Sequence, residues 1–181
     1  MPRPTGATDR ARRAGGWLAL AALAVLAACV SPQQLTAAND VHAFLISIRD
    51  ADRATFDAHV DRSALKAQLA GRLTAEAARH GDTAAALAAV LGPTIVDIGV
   101  DNLVRPEVFR AVAEQLGYSP DKPIPGVVGI AQALKPIDGT HVCVITKRDG
   151  PCLFTFADEG GVWRLTAFDG DLGQLVRQRR R

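Results

Sequence analysis

Three cysteines, four histidines and nineteen acidic residues hold most of the reactive side chains in this 181-residue chain. A thiol can be oxidised to a disulfide, ligate a metal or carry a covalent group. Cys143 and Cys152 stand close together late in the chain, while Cys29 stands alone, directly after Leu26-Ala27-Ala28. Metal ligation has the least support. His42, His59, His80 and His141 include no pair three or four residues apart, and no cysteine or carboxylate cluster completes a ligand spacing. Neither a metal nor a cofactor is expected. Asp50, Asp52, Asp57 and Asp61 are expected to satisfy open amides at helix ends rather than to form an acid–base pair. Ser63 has no base beside it in sequence, and no Gly-x-Ser-x-Gly elbow, P-loop or dinucleotide fingerprint occurs. No catalytic residue is assigned.

The first residues point to a compartment. Arg3, Arg10, Arg12 and Arg13 precede the unbroken apolar run Trp17 to Ala28, which small residues close. That order is the order of a secretory signal peptide. The run is too short for a membrane span, which takes about 20 apolar residues. No later segment is expected to span a bilayer either. The exit Leu26-Ala27-Ala28-Cys29 resembles the lipobox of bacterial lipoproteins. The resemblance implies a diacylglycerol on the Cys29 thiol, cleavage just before it and acylation of the new amino group. Residues 1–28 would then be a lipoprotein signal peptide, and Cys29 the membrane attachment. An ordinary cleaved signal, with Cys29 incidental, is the alternative.

Charge narrows the partners. The chain is formally +2, but four of its 21 basic residues lie in the leader, and Arg177, Arg179, Arg180 and Arg181 crowd the end. The body between is acidic, which argues against nucleic acid as a partner. The basic tail, 171–181, is expected either to lie against anionic lipid headgroups or to be a solvated end. Residues 29–38 are expected to be the lipidated cysteine and a polar tether, and 39–170 a single domain.

Helical spacing starts at Asp40. Val41, Phe44, Leu45 and Ile48 form one apolar stripe, with Asn39 or Asp40 as its cap. A short helix near 53–59 carries Phe56, and Asp61 caps a longer one with Leu65, Leu69 and Leu73 on one face, ending at Gly81. Asp82 is expected to cap the next stretch and Pro93 to break or kink it. Its alanine-rich start, 84–89, needs a close neighbour, because alanine buries little area. Asp97 and Asp101 share a face of that stretch as a solvated stripe. Pro106 suits a first helical turn, with Phe109, Val112 and Leu116 facing inward and Gly117 as the stop.

The last third alternates at period two in 140–146, 152–157 and 162–168, separated by turn residues. This is an antiparallel meander of three strands, with residues near 130–134 either a fourth strand or a helical turn. A hairpin centred between Lys147 and Arg148 would set Cys143 opposite Cys152, on the face of Phe154 and Phe156. An oxidising compartment would then join the two thiols. A hairpin centred on Asp149-Gly150 would offset them.

The segment 47–73, "SIRDADRATFDAHVDRSALKAQLAGRL", and the closing "GGVWRLTAFD" resemble an uncharacterised bacterial envelope family, domain of unknown function 2939, over roughly 39–170. The resemblance implies an α+β outline and an envelope location, and no activity. The reading is α+β: N-terminal helices packed on a small C-terminal antiparallel meander of three to four strands, stapled by Cys143–Cys152. The expected function is non-enzymatic, a lipid-anchored binding or scaffolding module of the cell envelope. It would face the periplasm, with the membrane, anionic headgroups and an envelope protein as partners. An envelope hydrolase with an unrecognised site is the alternative.

Overall fold

The computed structural model describes residues 30–115, 117–145 and 150–169. Cys29, the four tail arginines, Leu116 and residues 146–149 lie outside the described residues. Contacts divide the chain into residues 1–32 and 33–181, and the second unit holds the fold described here.

Six helices precede or join a four-stranded sheet among the described residues. They are α1 (Pro32–Asp50), α2 (Arg53–Ala58), α3 (Arg62–Arg79), α4 (Asp82–Leu103), α5 (Pro106–Gln115) and α6 (Val127–Ala133). The strands are β1 (Leu134–Pro136), β2 (His141–Val144), β3 (Phe154–Glu159) and β4 (Val162–Phe168), antiparallel in the order β1-β2-β3-β4. The α+β expectation holds. The open choice near residue 130 resolves as both: a helix to Ala133, then an edge strand.

Residues 32–38 are not a tether. They form the first turns of α1, with Pro32 at its start and Ala37 and Ala38 fully buried. Small side chains that look undemanding in sequence allow a close approach here. Gln34 donates to the carbonyl oxygens of Leu134 (2.7 Å) and Ala131 (3.2 Å), and Gln33 to that of Asp138 (2.6 Å). Asp40, expected as a cap, is therefore in mid-helix with a different task.

The core joins α1, α2 and α5 to the sheet. Phe44 stacks on Phe56 (5.3 Å between centroids) and meets Phe109 (6.0 Å) and Phe156 (5.9 Å) edge-on. Phe56 and Phe109 are also edge-to-face, at 5.3 Å. Such pairs add to the burial of aromatic area. Val142, Trp163 and Leu165 complete the sheet's contribution.

The β4 edge of the sheet is covered. Beyond β4, the α2–α3 link runs parallel to it: Leu165 donates to the His59 carbonyl (2.9 Å) and Asp61 to that of Leu165 (3.0 Å). Farther along, the Gln68 side chain accepts from the Phe168 amide (3.0 Å) and Arg72 donates to the Phe168 carbonyl (2.7 Å). An open strand edge invites pairing with another chain, and α3 closes this one.

Helix ends follow the sequence in part. Asp52 accepts from the Thr55 amide, and Asp61 from those of Ser63 and Ala64, as expected of caps. Asp82 is not a cap. Gly81, at φ 99°, occupies that place without a side-chain bond, and Asp82 enters the first turn of α4, where the helix dipole still favours a carboxylate.

Pro93 does not end its helix either. α4 continues for 22 residues through it. Proline costs one backbone bond and crowds the preceding turn, but α4 is held along α3. Gly92, Val96 and Val100 are buried there, and an added Cβ on Gly92 would meet Leu73 Cδ2 at 3.5 Å. The expectation that no later segment could span a membrane fails with the break at Pro93. By length and composition α4 is sufficient, with a mean hydropathy of 1.7 over its most apolar 18 residues and 17% of that window buried.

Candidate functional site

The Cys143–Cys152 bond is present, with Cα atoms 5.4 Å apart, but its expected geometry is not. Cys143 pairs with Thr155 and Val144 with Phe154, three residues beyond the expected partner of Cys143. Moving the partner of Cys143 from 152 to 155 is an odd shift, and an odd shift exchanges faces. Cys143 therefore shares a face with Thr155, opposite Phe154 and Phe156. Cys152 reaches it from outside the ladder, where the Leu153 amide donates to the Val144 carbonyl (2.9 Å) before β3 begins.

The densest polar constellation lies where α1, the α2–α3 link and the β3–β4 hairpin meet. Asp40 Oδ2 accepts from the backbone amide of Trp163 (2.8 Å), and its Oδ1 lies 3.7 Å from His59 Nε2. His59 Nδ1 meets the Thr55 carbonyl at 2.8 Å, which fixes the ring. The indole of Trp163 is buried. Nearby, Arg164 donates to Glu159 at 3.2 Å, with Asp61 beside that glutamate. Burial, then the adjacent Asp61, raises the Glu159 carboxyl above its ordinary range, and Arg164 opposes the rise. Burial pushes Asp61 up as well, but the Ser63 hydroxyl and the α3 amides outweigh it and leave Asp61 low.

Two carboxyls driven apart in acidity are the pattern of an acid–base pair. Here one oxygen of each is engaged. Asp61 Oδ1 is taken by α3's amides and by the Ser63 hydroxyl, and Glu159 by Arg164. Asp40 is tied to β4. The arrangement can lock the first helix to the last strand. Replacing Asp40 with alanine should lower unfolding free energy by about 1–3 kcal/mol, since it strands the Trp163 amide. Asp40→Asn, which retains an acceptor, should lose less, as urea denaturation would read.

Two other histidines, His80 and His141, are separate from this cluster. His80 meets Glu76 on α3 (3.4 Å) and His141 meets Asp138 (2.9 Å). The amide of Thr140, then His141, lowers the Asp138 carboxyl to about 2. Among the described residues, no group of three or more His, Cys, Asp or Glu is placed to hold a metal. Asp50 pairs with Arg49, and Asp57 with Arg62 and Arg53. Asp97 and Asp101 do more than face solvent: they grip Lys66 of α3 at 3.0 and 3.3 Å.

Sequence reasoning missed one surface. Leu87, Val90, Leu91, Ile95 and Ile98 of α4 are all exposed, on the side opposite Gly92, Val96 and Val100. The available signal was the mean hydropathy of 82–103 as one uninterrupted segment, obscured by reading Pro93 as its end.

No curated protein and no solved structure matches the chain. A family model does match, over residues 18–112, from within the apolar run 17–28 to α5. It takes in 47–73 and stops before the sheet, so the closing "GGVWRLTAFD" falls outside it. That match covers just over half of the sequence, and on it the chain belongs to the family described as Protein of unknown function (DUF2939).

Proposed function

We propose that this protein is a lipid-anchored component of the bacterial cell envelope, exported and facing the periplasm. It acts as a non-enzymatic binding or scaffolding module at a membrane surface. The observation that carries the reading is Leu26-Ala27-Ala28-Cys29 at the exit of a basic, then apolar, leader. A cysteine at that one position is required by lipidation and by no other step of export. Two or more acyl chains hold a protein stably on a bilayer, at about 0.8 kcal/mol per buried CH₂. The Cys143–Cys152 bond supports the location, since disulfides persist in oxidising compartments. Partners are the membrane through Cys29, anionic headgroups through Arg177, Arg179, Arg180 and Arg181, and an envelope protein.

Metabolic labelling with palmitate tests the anchor. The wild type should label, and Cys29→Ala should not. Equal labelling of the two proteins would remove the assignment.

A further inference from the structure

The α3–α4 hairpin carries a surface that the lock of Asp40, His59 and Trp163 does not explain. Leu87, Leu91, Ile95 and Ile98 follow one another at four, four and three residues, a continuous stripe roughly 16 Å long at 1.5 Å per residue. Val90 widens it. These five side chains are 47–74% exposed, where a soluble helix would carry charge.

Three observations identify what covers the stripe. First, it is wholly aliphatic. Protein interfaces draw their anchors from Trp, Tyr, Met and Arg, and this face has none. An aliphatic face on a helix whose most apolar 18 residues average a hydropathy of 1.7 suits hydrocarbon. Second, the anchor is short. Because α1 starts at Pro32, only Val30, Ser31 and Pro32 separate Cys29 from Gln33, a reach of at most about 14 Å. The domain's own radius of gyration is about 14 Å. A body tied so closely to a bilayer must rest some face on it. Third, the arginine-bearing tail continues from Asp169, which is bonded to Arg72 and Gln68 of the same hairpin.

The charge on α3 decides the orientation. Arg62, Lys66, Arg72, Glu76 and Arg79 lie along the helix packed against α4. A hairpin crossing the membrane would take them into hydrocarbon, whereas a hairpin lying flat leaves them above it. At the stripe's margin, Lys66 neutralises part of the charge of Asp97 and Asp101.

We propose that α4 lies parallel to the membrane plane, with Leu87, Val90, Leu91, Ile95 and Ile98 set into the interfacial layer of a phospholipid bilayer as a second, non-covalent contact. The reading rests on the anchored protein proposed above and adds the face it presents.

The test uses the full chain, purified from membranes and reconstituted in vesicles of phosphatidylethanolamine and phosphatidylglycerol. Leu91→Cys, and Val90→Cys as a second position, are labelled with an environment-sensitive dye. Blue-shifted emission, quenched by nitroxide-bearing lipids, is expected at both positions. The same dye on Ala78→Cys, on α3, should stay water-like. Water-like emission at both α4 positions overturns the proposal. So does emission that is shifted but unquenched by nitroxide lipid, which would indicate a second copy or another protein on the stripe. In the Cys29→Ala chain, Leu91→Asp with Ile95→Asp should weaken vesicle partitioning at least roughly tenfold; unchanged partitioning would also overturn it. The two readings fail separately. An acylated chain with a water-like dye sinks the stripe alone, and an unacylated chain whose dye is quenched by lipid sinks the anchor alone.

Discussion

Phe56→Ala should destabilise the domain by about 3–5 kcal/mol, the range for removing a buried aromatic ring. Folded domains hold about 5–15 kcal/mol, so one substitution should remove a large share. Phe56 is fully buried and is the one buried residue of α2, a six-residue helix too short to persist by itself. Its ring lies between Phe44 and Phe109, at 5.3 Å from each, so it joins α1 to α5 through α2. The residues that follow α2 make the parallel bridge to Leu165, and loosening α2 should loosen that bridge as well. Urea denaturation should show a lower midpoint with an unchanged slope. Phe56→Leu, which keeps most of the volume, should cost less than half as much. A loss below 1 kcal/mol for the alanine variant would mean that the aromatic cluster does not organise this core.

Reduction of Cys143–Cys152 should cost about 2–3 kcal/mol, the loop-closure value for so small a ring. The bonded residues are nine apart in sequence. For a domain of this size the loss corresponds to a fall in Tm of roughly 6–12 °C. The bond does more than shorten a loop. Cys152 lies before β3, on a segment that leaves the ladder, and the bond pins that segment to the buried Cys143. The Leu153 carbonyl in turn accepts from the Asp169 amide at the end of β4 (2.9 Å). Melting with and without reductant, beside Cys143→Ala with Cys152→Ala, measures the effect. The double variant should be insensitive to reductant. Thiol counting on denatured, unreduced protein should find neither cysteine reactive, and two reactive thiols would remove the bond.

What the sequence made legible was local. Asp52 and Asp61 stand before their helices with side chains suited to open amides, and both cap them. Pro106 begins α5, Gly81 separates α3 from α4, and period-two alternation places β2, β3 and β4 within a few residues. What it concealed depends on distant partners. Ala37 and Ala38 look like linker until residues near 131–138 receive the glutamines beside them. Asp40 looks like a cap until Trp163, 123 residues later, uses its carboxylate. Pro93 looks like a break because propensity is a local quantity, and the Gly92–Leu73 approach that accommodates it is not. The cysteines show both sides. Their proximity on adjacent strands was readable, but the register was not, and the bond forms from a face and a position that regular pairing would not give.

The bond from Asp40 to Trp163 also bears on the order of assembly. A polypeptide delivered amino-terminus first presents α1 long before the strand that receives it. The Asp40 carboxylate must wait for its amide until nearly the whole chain has emerged. Such a topology delays completion of the fold until the last strand has been delivered.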